Sequence, residues 1–248
     1  MADVEGFGDP RRTGPHQQAV REGLYEVMAA AFVAGGLAWE DCYQEDRGDA
    51  VFVLVPPDTD KAAFVEAVLP ALVMRLRVHN DSRPEMQRIR LRVALHAGEV
   101  VYDDHGVTSS SLTLAFRLCD APPLKAALAT SPGVLAVITS AWLFDEVVRH
   151  MPAAAPATWR PVTIAVKEAD TTGWIALPDH PYPPESVSVG SGMPGVGGSG
   201  TGPPRVVPRQ LPASLYDNIG RPRKAADVRQ RAAQLQKESH PRDTRGEA

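Results

Sequence analysis

The sequence predicts an α+β fold with the element order strand, helix, strand, strand, helix, strand, which is the split βαβ or ferredoxin-like (βαββαβ) arrangement. Three observations carry that expectation. Helical and strand periods alternate through residues 1–178. Two short apolar runs flank an acidic turn, Glu45-Asp46-Arg47-Gly48-Asp49. After about residue 179 the composition shifts to Pro, Gly and Ser, so the folded part is expected to end there.

A first strand is expected to end at Asp3. Only Met1 and Ala2 precede that residue, and an upstream start supplying about four or five more strand residues is expected. Pro15 suits the first turn of a helix, and Val20, Leu24, Val27, Met28, Ala31 and Phe32 follow at helical spacing until Gly35-Gly36 ends the run. Residues 38–44 and 50–55 are expected to pair as a hairpin about the acidic turn. From about Thr59 to His79 a second helix buries Phe64, Val65, Val68, Leu69, Leu72 and Leu76, with a kink at Pro70. Residues 88–96 alternate with period two, as a strand with one charged face does. Helical pieces near 110–130 and 140–150, a strand at 135–139 and closing strands near 162–166 and 173–177 complete the folded part.

A chain of 248 residues with 44% hydrophobic content can bury one substantial core and carry an appendage. No apolar run reaches the roughly eighteen residues that cross a bilayer, and no basic-then-apolar leader opens the chain. A cytoplasmic location without a membrane partner is the expectation. Cys42 and Cys119 are too few for a disulfide framework and lack zinc-site spacing. The net charge of −4 divides into about −8 on the body and about +4 after residue 180, which disfavours a nucleic-acid partner for the body. Residues 179–212 read as a flexible linker and 213–248 as a basic, largely disordered tail able to dock on a protein partner.

Four collinear segments carry chemistry. Asp3-Val4-Glu5-Gly6-Phe7 resembles the first metal motif, Asp-Ile-x-Gly-Phe, of the class III nucleotidyl (adenylyl and guanylyl) cyclase homology domain, and Gly48-Asp49 with the strand behind it resembles the second. Residues 91–100 are similar to that family's Arg-Ile-Gly-Leu-His-x-Gly segment, and 112–118 to its Val-Asn-x-Ala-x-Arg segment. The resemblance spans nearly all of 1–178. It implies a class III cyclase-like sheet, a homodimer and a purine nucleoside triphosphate ligand. Asp3 and Asp49 would hold two Mg²⁺ (or Mn²⁺) ions, the Gly6-Phe7 backbone would cradle phosphate, and Arg117 would stabilise phosphate charge from the second subunit. Glu45 stands where the family selects the base, as an acceptor suited to guanine, and Lys167 matches a late phosphate-binding Lys.

Departures from the family pattern shape the expected function. The ribose-orienting Asn of the family is Thr113 here, and its second base-recognition residue has no counterpart in 102–111. A degenerate cyclase-like module that binds nucleotide and Mg²⁺, or a protein, is therefore expected ahead of an active homodimeric, guanylyl-type cyclase. Glu5, Asp9, Asp41 and Asp46 read as solvated loop charges, His96 as structural, and the four Trp as core.

Overall fold

The computed structural model describes residues 1–104, 106–166 and 169–183. From residue 184 onward, the expected linker and basic tail lie outside the described residues. Among the described residues no helix is long and apolar enough to cross a membrane.

The expected order is present: β1 (Ala2–Val4), α1 (Gly14–Ala34), β2 (Tyr43–Asp46), β3 (Ala50–Leu54), α2 (Leu69–Asp81) and β4 (Leu91–Leu95). These strands lie in the order β2-β3-β1-β4, and each neighbouring pair is antiparallel. Each βαβ unit is thus split by a strand of the other, which defines the ferredoxin-like sheet. The sheet continues through β7 (Leu135–Ser140), parallel to β4, then β9 (Ala169–Ala176) and β8 (Arg160–Val166), both antiparallel additions. Between β4 and β7 lie a separate hairpin, β5 (Val101–Asp103) with β6 (Gly106–Thr108), and two helices, α3 (Ser110–Asp120) and α4 (Pro122–Thr130). A short helix, α5 (Ala141–Glu146), follows β7.

Period-two alternation gives the sheet two buried faces. Ala2, Val4, Val51, Leu91, Val93, Leu135 and Val137 pack under α1 and α2 with Leu24, Phe32, Leu72 and Leu76. On the opposite face Ala94, Ala136, Ile138, Ile164 and Ile175 pack against Leu118 and Cys119 of α3 and Leu124 and Leu128 of α4. Helices α3 and α4 lie mainly over β4 and β7 on this second face, and Phe116 of α3 also reaches Phe52 of β3.

Three details differ from expectation. Residues 39–41 form a 3₁₀ turn, not strand, because the Trp39 ring packs edge-on against Phe32 at 4.9 Å and Cys42 N–H closes onto the Trp39 carbonyl. The strand therefore begins at Tyr43 and runs through Glu45 and Asp46, and the turn contracts to 47–49 with Gly48 at φ +85°. The second helix is not simply kinked at Pro70. Its backbone widens into a π-helical stretch, Phe64–Val68, where Leu69 N–H bonds the Phe64 carbonyl; this lifts the chain past the proline ring. The β5–β6 hairpin was not expected at all.

Candidate functional site

The site begins with β1, three residues long and hydrogen-bonded on both sides. Its alternation buries Ala2 and Val4 and turns Asp3 to the other face, in register with Ala50 of β3 and Arg92 of β4. Arg92 Nη2 donates to Asp3 Oδ2 at 2.7 Å, and the two side chains are only 13% and 16% exposed. The Cys119 thiol of α3 lies 3.6 Å from the Arg92 carbonyl, so the pair sits close to that helix.

This ion pair uses one leg of a possible two. Asp3 Oδ1 and Arg92 Nε are both buried and neither has a hydrogen-bond partner. A buried acceptor and a buried donor left open are costly unless something else satisfies them. Burial raises the Asp3 carboxyl above its ordinary value; the Arg92 hydrogen bond opposes this, and the charge of Asp49 adds to the rise. Asp49 is exposed at the hairpin tip, and its carbonyl accepts Val4 N–H at 3.0 Å, which ties the tip to β1. Asp49 is thus tied to β1 through its backbone, and its charge is felt at Asp3.

Among the described residues no group of three His, Cys, Asp or Glu converges to hold a metal. In this structure Asp3 Oδ2 is engaged by Arg92, and Asp49 lies at the hairpin tip. Asp3 Oδ1, buried and without a partner, is an oxygen donor of the kind a hard cation takes.

Behind β1 the chain turns through Gly6 at φ +63°. Among the described residues the backbone N–H groups of Gly6, Phe7 and Gly8 donate to no acceptor, so three donors remain open next to Asp3. Glu5 is not the solvated charge expected. Arg90 Nη1 holds it at 2.7 Å while the same guanidinium also donates to the carbonyls of Leu128, Ser131 and Gly133. Asp46 is likewise structural, accepting from Arg21 and from the Tyr25 hydroxyl, each at 2.6 Å.

Glu45 lies on β2, and each of its carboxylate oxygens has one donor within the chain. Arg47 Nη2 reaches its Oε1 at 2.5 Å and the Tyr43 hydroxyl donates to its Oε2 at 3.1 Å. Thr113 is exposed on α3, its hydroxyl donating to the Ser109 carbonyl one turn earlier at 3.1 Å. Arg117, one turn further on, is half-buried and makes no hydrogen bond or ion pair among the described residues. No hydrogen bond or ion pair joins Thr113 or Arg117 to Asp3 or Asp49. Lys167 lies outside the described residues. His96 is structural in the manner expected: Nδ1 meets the Ser140 Oγ at 2.8 Å, and burial lowers the imidazole from its ordinary value.

Arg92 is the site residue that sequence reading missed. Its signal was present as a charged residue on the alternating face of residues 88–96, but only the β1–β4 register sets it opposite Asp3.

No protein-family model matches the chain, and no curated protein matches it. Among solved structures, an adenylate/guanylate cyclase/hydrolase from Silicibacter pomeroyi is similar at 16% identity and a TM-score of 0.47, over 73% of this chain and 93% of that one. The guanylyl cyclase domain of the RhoGC fusion protein from the aquatic fungus Blastocladiella emersonii, in its monomeric form and as a double mutant, is similar at 16% identity and a TM-score of 0.43, over 70% of this chain and 90% of that one.

Proposed function

We propose that this chain is a degenerate cyclase-like module that binds a Mg²⁺-bound purine nucleoside triphosphate and signals by occupancy, not by turnover. The observation that carries the reading is the half-made Asp3–Arg92 pair. Its open acceptor, Asp3 Oδ1, suits a cation and its open donor, Arg92 Nε, suits an anion, so one metal–phosphate unit satisfies both. The open N–H groups of 6–8, which follow β1 directly, add phosphate donors. Bound Mg²⁺ supplies neutralisation of phosphate charge. Asp49 adds a second oxygen, and Arg117, unengaged on α3, is available to the phosphates of a second copy in a homodimer.

Binding in place of turnover is supported by Thr113. A hydroxyl committed to its own helix cannot orient a ribose as a side-chain amide does, and interactions missing in the transition state cost rate directly. The test is calorimetric titration with the β,γ-imido analogues of GTP and ATP, with Mg²⁺ and then with EDTA. Metal-dependent binding that disappears in Asp49→Ala is the expected result. Binding that survives EDTA, or no binding, overturns the proposal. Cyclic product from the unmodified chain, rising in Thr113→Asn, would establish instead an active cyclase.

A further inference from the structure

The peptide unit between Gly133 and Val134, just ahead of β7, is bonded on its two sides by opposite charges. Its carbonyl accepts from Arg90 Nε at 3.0 Å, and its N–H donates to Asp179 Oδ2 at 2.9 Å. A cation on the oxygen and an anion on the N–H polarise the amide in the same sense, so each bond strengthens the other. Asp179 lies three residues past β9; its side chain is only 2% exposed, and Oδ1 is buried without a partner among the described residues. It reaches the peptide only because residue 133 is glycine, since a Cβ there would stand 2.4 Å from Oδ1.

Both charges have a second arm. Arg90 Nη1 holds Glu5 at 2.7 Å and the Arg90 carbonyl accepts the Glu5 N–H at 2.9 Å, so side chain and backbone together carry the turn after β1. Asp179 Oδ2 also accepts from Arg77 Nη2 of α2 at 3.2 Å, and His180 N–H closes onto the Leu177 carbonyl at 3.1 Å. Charges therefore alternate along one continuous set of contacts: Glu5, Arg90, the 133–134 peptide, Asp179 and Arg77. At one end is the turn whose N–H groups at 6–8 are open, and at the other the point where the chain passes from β9 toward its Pro/Gly/Ser-rich sequence.

We propose that this relay is a conformational device that makes the Glu5–Gly8 turn and the exit at 177–180 loosen together. It goes beyond the nucleotide reading and stands whether or not the turn holds a ligand. The 133–134 peptide is the shared element: with both partners in place it is held in one orientation, and with either lost the remaining bond weakens. Arg90 and Asp179 are positioning residues that act through it.

Amide hydrogen exchange, followed by NMR on the full chain, tests this with Glu5, Val134 and His180 N–H as reporters of the turn, the peptide and the exit. Glu5→Gln is expected to raise exchange about fivefold at Val134 and His180, and Asp179→Asn to raise it about fivefold at Glu5. The Gly35 and Thr113 N–H groups, bonded to the Ala31 and Ser109 carbonyls at the ends of α1 and α3, are expected to stay within about twofold. A general loosening of the fold would raise these two as well, and urea unfolding of Arg90→Met, Asp179→Asn and the double variant then decides. The double variant is expected to shift the unfolding constant at least about fivefold less than the product of the two single shifts. Exchange that rises only beside the substituted residue, or single shifts whose product matches the double variant within about twofold, overturns the inference.

Discussion

Replacing Arg90 by Met would detach the Glu5–Phe7 turn from the rest of the sheet. Arg90 donates to four acceptors: Glu5 Oε2 at 2.7 Å, Gly133 O at 3.0 Å, Ser131 O at 2.7 Å and Leu128 O. Met keeps most of the aliphatic stem, so the loss is one charge-assisted bond and three bonds to carbonyls in the α4–β7 connection. A charge-assisted bond contributes about 1.5–3 kcal/mol and a neutral one about 1 kcal/mol. Arg90 is 32% exposed and Glu5 23%, so water replaces part of what is removed, and bonds sharing one guanidinium do not add in full. The expected destabilisation is about 3 kcal/mol, about 10 °C in Tm for a folded part of this size. Urea unfolding is the assay, with a lower midpoint and an unchanged slope expected. Arg90→Lys restores one contact and is expected to recover less than half. A loss under about 1 kcal/mol for Arg90→Met would mean that water satisfies these carbonyls and that the guanidinium does not hold the turn.

Two carboxyls should titrate on opposite sides of the ordinary aspartate value. Asp9, bonded by Arg11, is lowered from 3.8 to about 2, and it contributes stability above 3.8 that is lost as pH falls toward about 2. Burial raises Asp3, so the native state keeps that proton longer than the unfolded chain; stability falls as pH rises from the ordinary value through the raised one. Carboxyl-carbon NMR checks both, and an Asp3 titrating with free aspartate would contradict its burial. Cys42 and Cys119 are buried, and burial pushes the Cys119 thiol up to about 12. Neither is expected to react with a disulfide reagent in the native protein, and both are expected to react in denaturant; rapid native labelling of Cys119 would show that α3 opens.

The βαββαβ order was legible because it rests on local periods. Val20 to Phe32 at helical spacing and 88–96 at period two each need one face buried, whatever the partner. The strand boundary at 38–42 was not legible, since Trp39 and Cys42 read as strand until the packing of Trp39 on Phe32 is known. The β5–β6 hairpin carries exposed Val101 and Tyr102 and little alternation, so no period announced it. In the site, Asp3 and Asp49 could be paired from their motifs, and the structure ties the Asp49 backbone to β1 through Val4 N–H. Their engagement could not be read.

What the sequence by itself determined is the kind of fold, because local periods fix the order of helices and strands. What only the tertiary structure decided is which charge meets which. Arg92 reaches Asp3 across 89 positions and Arg90 reaches Glu5 across 85, while Arg47 fills the space between Phe52 and Phe116. Ion pairs and ring contacts of that span depend on strand register and on where α3 lies over the sheet, and neither is a local property of the chain.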